Sequence, residues 1–168
     1  SALCPEEFFD NIGSVGKPIA HTKVKLEDGE LLVKSRSLMQ GYIDEREKTK
    51  EKLKKGWLHT GDMASIDGQR YLYILGRKDD LLIRSGMNIY PAEIESVALQ
   101  IDGVKNCMVY GEEDIHYGQK ICMKVVADLG VAALRKELID RLPAYLIPDK
   151  ILLVESLELT PSGKVKRK

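Results

Sequence analysis

Apolar and polar residues alternate through the first part of the chain. In HTKVKLEDGELLVKS, residues 21–35, apolar positions recur on both sides of Asp28-Gly29. That pair accepts the backbone angles of a tight turn, which predicts a β-hairpin. RYLYILGR (70–77) reads as another strand, entered from the turn signal IDGQ. Between them, DEREKTKEKLKKG (44–56) is almost entirely charged. Its pattern predicts a short exposed helix stopped by Gly56. No stretch of this region offers a helix a broad apolar face, so it reads as a small β-rich unit.

Past Arg77 the periodicity changes. DLLIRSGMNIYP (80–91) predicts two short strands around a Ser85-Gly86 turn. Pro91 suits the first position of a helix, and Glu93 and Glu95 suit the positive end of its dipole. Ile94, Val97, Ala98 and Ile101 then recur at helical spacing and form one buried face. VKNCMVYG and KICMKVVAD follow as strands. Val131, Leu134, Leu138 and Leu142 mark a second amphipathic helix ended by Pro143, and KILLVESL is a last strand. The expected fold is α+β: a small β-rich subdomain over 1–77, then a compact α/β domain over 78–168. The second domain has two helices against a three-stranded sheet. The boundary falls inside GRKDDLL, where a rigid-body pivot fits.

Charge and composition narrow the functional classes. The chain has 26 basic and 26 acidic residues, so its overall field gives no reason to expect nucleic acid as a partner. Its longest apolar runs are far too short to span a bilayer. The three cysteines, Cys4, Cys107 and Cys122, lack any CxxC or His-Cys spacing. Reduced thiols in a cytoplasmic protein are the expectation.

Five stretches in order carry a resemblance: GELLVKSRSLMQGY, GWLHTGD, GRKDDLLIRSGMNIYPAEIE, LPAYLIP and PSGKVKRK. Together they resemble the adenylate-forming (AMP-binding) enzymes of the acyl-CoA synthetase type. That family's phosphate loop and adenine-binding motif lie upstream of these elements, and PSGK lacks Walker spacing. The chain is therefore expected to be a C-terminal piece, with a large N-terminal domain of the same chain as its missing partner.

The resemblance implies a two-step reaction. A small-molecule carboxylic acid attacks ATP, with Mg2+, to give an acyl-adenylate, and coenzyme A then displaces AMP. ATP and Mg2+ are expected to be bound mainly by the missing domain, and fatty acid metabolism is the implied setting. Lys164 is implied as the catalytic cation of the first step, and an ammonium on a long stem can follow oxygens as charge shifts between them. Asp62 is implied to accept hydrogen bonds from the ribose hydroxyls, and Arg77 to support the same ribose and phosphate region. Asp79 or Asp80 is implied as the hinge. Gly86 is implied to line the coenzyme A channel.

Read without that resemblance, Lys164 is one cation of a solvated basic tail, Asp62 a turn residue and Arg77 half of a surface ion pair. Lys166, Arg167 and Lys168 keep the solvated reading in either case. Tyr145 is expected to pack, and Gln119 stands where the family often has glutamate. Two alternatives stay open: an adenylation domain serving a carrier protein, and a non-catalytic module binding coenzyme A or a carrier.

Overall fold

The computed structural model describes residues 1–161 and 165–167. The chain forms two compact units, Ser1–Asp79 and Asp80–Lys168.

The first unit is an antiparallel sheet. Strands β1 (Thr22–Glu27) and β2 (Glu30–Ser35) form the expected hairpin, with Glu27 opposite Glu30 and Val24 opposite Val33. Asp28 and Gly29 both have positive φ, 50° and 79°. Such a turn matches the right-handed twist of the strands it joins. Helix α1 (Arg46–Lys52) buries no residue and leads into β3 (Leu53–Lys54), β4 (Trp57–Ile66) and β5 (Leu72–Arg77). Strand β4 is the spine: β2 pairs with it on one side, while β3 and β5 pair with its first and second parts. Leu31, Ala64 and Leu72 make a small core, backed by Val24, Val33 and Ile66.

One boundary differs from the sequence expectation. Gly56 does not stop a helix; with Lys55 it forms a positive-φ turn, 51° and 76°, between β3 and β4. The charged run supports a helix only to Lys52, because Leu53 gains a strand partner in Leu58. A residue far along the chain thus overrides local propensity.

The second unit opens with a hairpin, β6 (Leu82–Arg84) and β7 (Met87–Ile89), turned by Ser85 and Gly86 at φ 50° and 78°. Tyr90 is extended, and α2 (Pro91–Ala98) starts at the proline. Strands β8 (Val104–Asp114) and β9 (Gly118–Ala127) pair antiparallel. Both run further than the apolar stretches suggested. Their polar ends continue the ladder, with Glu112 opposite Lys120 and Asp114 ion-paired to Lys120. Helix α3 (Val131–Arg141) returns the chain to β10 (Lys150–Leu153), which lies parallel to β9, giving the order β10-β9-β8. Ile94 and Ala98 of α2 and Leu134 and Leu138 of α3 are fully buried with Ile121, Met123 and Val125 of β9.

Core burial predicts where substitutions cost stability. Leu138→Ala, at a fully buried site, should lose about 2–5 kcal/mol in denaturant unfolding. Ile43→Ser, at a position 90% exposed, should stay within about 0.5 kcal/mol. Similar losses at both positions would contradict the core described.

Candidate functional site

In the first unit, the Thr60-Gly61-Asp62 stretch leaves the regular ladder. Leu32 pairs with His59 and Glu30 with Met63, so two steps along β2 face four along β4. The extra residues form a bulge, a device that re-aims side chains. Thr60 holds it locally: its hydroxyl donates to the Leu31 carbonyl at 2.7 Å and accepts the Asp62 N–H at 3.0 Å. Gly61, at φ +73°, donates its N–H to Glu30 Oε1 at 3.0 Å.

The bulge aims Asp62 at Arg77, its partner on β5. Arg77 Nη1 donates to Asp62 Oδ1 at 2.7 Å and to the Thr60 carbonyl at 2.9 Å. A Cβ on Gly61 would sit 2.8 Å from Arg77 Nη2, so glycine also leaves room for the guanidinium. The side chains of Arg77 and Asp62 are 46% and 32% exposed. An ion pair this accessible contributes about 0.2–1 kcal/mol, so a ligand can exchange partners with it at little cost.

Beneath the bulge lies Glu30, the one charged residue that is buried among those described, at 6% exposure. Its carboxylate accepts the Gly61 N–H and Lys78 Nζ, the latter at 3.0 Å, and His59 Nδ1 lies 3.6 Å away. Burial works against the charge, but Lys78 and the Gly61 N–H outweigh it and hold the carboxyl below its usual range. Glu30 raises Lys78 in turn. A polar cleft of about 260 Å3, lined in part by Glu30, His59, Gly61, Lys78 and Asp79, opens beside this cluster. Sequence reasoning assigned Glu30 and Lys78 no role. The available signal was period-two spacing, which puts Glu30 on the same strand face as Leu32, a residue 1% exposed.

Asp62 and Arg77 are therefore brought together, and Asp79, exposed, lines the cleft beside their bulge. Asp80 and Gly86 belong to the second unit. Gly86 keeps its positive φ, and a Cβ there would meet nothing within 4 Å, so it faces open space. Gln119 supports that hairpin: its Oε1 accepts the Ile83 N–H at 2.6 Å. Tyr145, expected to pack, is 47% exposed; the turn after Pro143 points Leu146 inward instead. Lys164 lies outside the described residues.

The basic tail needs a correction. Arg167 is not a solvated cation. It donates to Glu95 Oε2 at 2.6 Å and to the Val109 carbonyl at 3.1 Å, and its Nε lies 3.2 Å from Asp80 Oδ2. Lys166 fits the solvated reading better, with a pair to Glu158 at 3.4 Å. All three cysteines are free thiols, and burial pushes Cys107 up to about 12 and Cys122 up to about 11, far from reactive. Among the described residues no helix is long and apolar enough to cross a membrane.

Residues 93–164 match the family model described as the AMP-binding enzyme C-terminal domain. Over 168 residues the chain is 38% identical to a 2-succinylbenzoate–CoA ligase of Listeria monocytogenes serotype 4b, covering 98% of this chain and 36% of that protein. It superposes with a TM-score of 0.92, at 34% identity, on o-succinylbenzoate CoA synthetase (MenE) from Bacillus subtilis in complex with the acyl-adenylate intermediate OSB-AMP. That match covers 97% of this chain and 36% of the other. The amide bond synthetase McbA from Marinactinospora thermotolerans matches at TM-score 0.80 and 30% identity, over 92% of this chain and 35% of its own. The chain thus spans about a third of the length of these relatives. Two of them are named for 2-succinylbenzoate, so the fatty-acid setting finds no support.

The depressed Glu30 carboxyl predicts a pH signature. Its contribution to stability is present above its ordinary value of 4.5 and is lost as pH falls through its lower folded value. Glu30→Gln should therefore destabilise the protein at pH 7, and the gap from the parent should close in acid. Glu30→Ala, which strands the buried Gly61 N–H, should cost about 1–3 kcal/mol. Denaturant titrations across pH 3–7 check both; a gap that stays constant into acid would remove Glu30 from this role.

Proposed function

Through residues 93–164 the chain belongs to the AMP-binding enzyme C-terminal domain family, and on that premise we propose that it is the C-terminal part of an ATP-dependent acyl-CoA synthetase. The reaction joins a carboxylate to the α-phosphate of ATP with release of pyrophosphate. Coenzyme A then displaces AMP, leaving a thioester. The acid is a small carboxylic acid, with 2-succinylbenzoate the first to test because relatives are named for it. An N-terminal domain of the same chain supplies the phosphate loop and the acid pocket. Mg2+ neutralises phosphate charge when ATP is bound.

The observation that carries this reading is the Thr60-Gly61-Asp62 bulge. It holds a half-exposed carboxylate beside a guanidinium, which suits a ligand that offers hydroxyls and phosphate together. Asp62 accepts from the two ribose hydroxyls while Arg77 donates toward ribose and phosphate oxygens. Exposed apolar residues of the first unit, Phe9, Ile12, Ile19 and Ile43, fit a surface that the larger domain covers. The free cysteines fit a reducing compartment, and we place the enzyme in the cytoplasm.

Lys164 supplies charge in the adenylation step. At about 4 Å and an effective dielectric near 20, one ammonium is worth about 4 kcal/mol. Realised mainly in the transition state, that is about a thousandfold in rate. The second unit then turns about Asp79, withdrawing Lys164 and presenting the Ser85-Gly86 turn, whose open flank lets the pantetheine arm pass.

Carboxylate-dependent ATP–pyrophosphate exchange tests the reading. The full-length enzyme should exchange, and residues 1–168 alone should not. Lys164→Ala should slow adenylation about a thousandfold yet spare thioester formation from supplied acyl-adenylate. Asp79→Pro, which fixes φ near −65°, should show the opposite bias. Equal damage to both half-reactions in either variant would rule out two alternating conformations.

A further inference from the structure

Arg167 stands three residues after Lys164 in the sequence, and its guanidinium joins three separate parts of the second unit. Nη2 meets the Glu95 carboxylate of α2, Nη1 meets the Val109 carbonyl of β8, and Nε meets Asp80 at the unit's first residue. Glu95 completes the arrangement: its other oxygen accepts the Val109 N–H at 2.6 Å. Strand β8 lies at the edge of its sheet, so these bonds satisfy both backbone groups of Val109 that no neighbouring strand reaches. The three side chains are mostly sheltered, Arg167 29%, Asp80 22% and Glu95 13% exposed. Charge-assisted bonds in such a setting are about twice as strong as neutral ones.

The chain just before Arg167 is also held. Leu159 bridges Val165 antiparallel, and the Lys166 N–H donates to the Glu158 carbonyl at 2.8 Å. Residues on both sides of Lys164 are therefore anchored to one another, and Arg167 anchors that pair of segments to α2, β8 and Asp80.

We infer that Arg167 is a positioning residue for Lys164: it fixes the foot of the lysine segment to the unit's frame and to Asp80, so that the turning lid delivers the ammonium to a defined place. This rests on the adenylation reading above. It matters because misplacing a catalytic group by about 1 Å costs about a hundredfold in rate. A flexible lysine on an unanchored segment would sample many such displacements.

The test compares half-reactions in the full-length enzyme. Arg167→Ala should slow carboxylate-dependent exchange about 100-fold while thioester formation from supplied acyl-adenylate stays near the parent rate. Arg167→Lys keeps the charge but loses the fork, so it should recover only part of the loss. Glu95→Gln, which keeps an acceptor for Val109 but not the charge, should show the same bias more weakly, and it serves if Arg167→Ala fails to fold. Thermal melts accompany each variant. Unchanged exchange, or a fall in both half-reactions in step with lost folded protein, would reduce Arg167 to an edge cap and overturn the inference. If the parent enzyme itself shows no exchange, or Lys164→Ala leaves exchange intact, the adenylation reading falls first and takes this inference with it.

Discussion

A mostly buried carboxylate that stays charged constrains this structure more than any other feature. Glu30 opens β2 from inside the sheet, and an ion stripped of water costs several kcal/mol unless partners replace the lost hydration. Two do so: the Gly61 N–H and the Lys78 ammonium. The first is within reach only if β4 bulges, which gives Glu30 a direct hold on the backbone that aims Asp62. The second lies next to Asp79, so the same buried charge also fixes the end of the first unit. The placement of the Asp62–Arg77 pair and the anchoring of Lys78 beside Asp79 are consequences of satisfying one carboxylate.

The second unit solves a similar problem with Glu95. Here the exposed need belongs to a sheet edge. Val109 presents an N–H and a carbonyl on the open side of β8, and Glu95 and Arg167 take one each. Because their own charges meet at 2.6 Å, the carboxylate and guanidinium neutralise one another while doing so. The link reaches from the first helix of the unit to the end of the chain. It closes the unit covalently distant but spatially tight, with Cys107 buried beneath it and donating toward the Glu95 carbonyl.

Much of this fold was legible in the residues because it is local. Alternation around Asp28-Gly29, the Ser85-Gly86 turn and the proline opening α2 are short-range preferences that the structure keeps. The elements missed were set by partners far along the chain. Gly56 read as a helix stop until Leu53 paired with Leu58, and Glu30 stood out from its strand only once the β4 bulge brought the Gly61 N–H to it. Arg167 looked like one more charge in KVKRK, since nothing nearby in sequence announces Glu95, Val109 or Asp80. Asp62 and Arg77 were singled out through motif order, and their contact is a product of the β4-β5 register, which no local pattern encodes.

These two ion-pair systems also bear on where a hinge in Lys78-Asp79-Asp80 would turn. Lys78 is bound to Glu30 within the first unit, and Asp80 to Arg167 within the second. Rotation about Asp79 leaves both pairs whole, because each lies entirely on one side of the pivot. Moving the pivot one residue earlier would drag Lys78 from a buried carboxylate; moving it one residue later would pull Asp80 from a sheltered guanidinium. Either displacement exposes a charge whose partner stays behind, the expensive way to break an ion pair. Asp79, exposed and flanked by two anchored neighbours, is the position where a large change in backbone angle disturbs least.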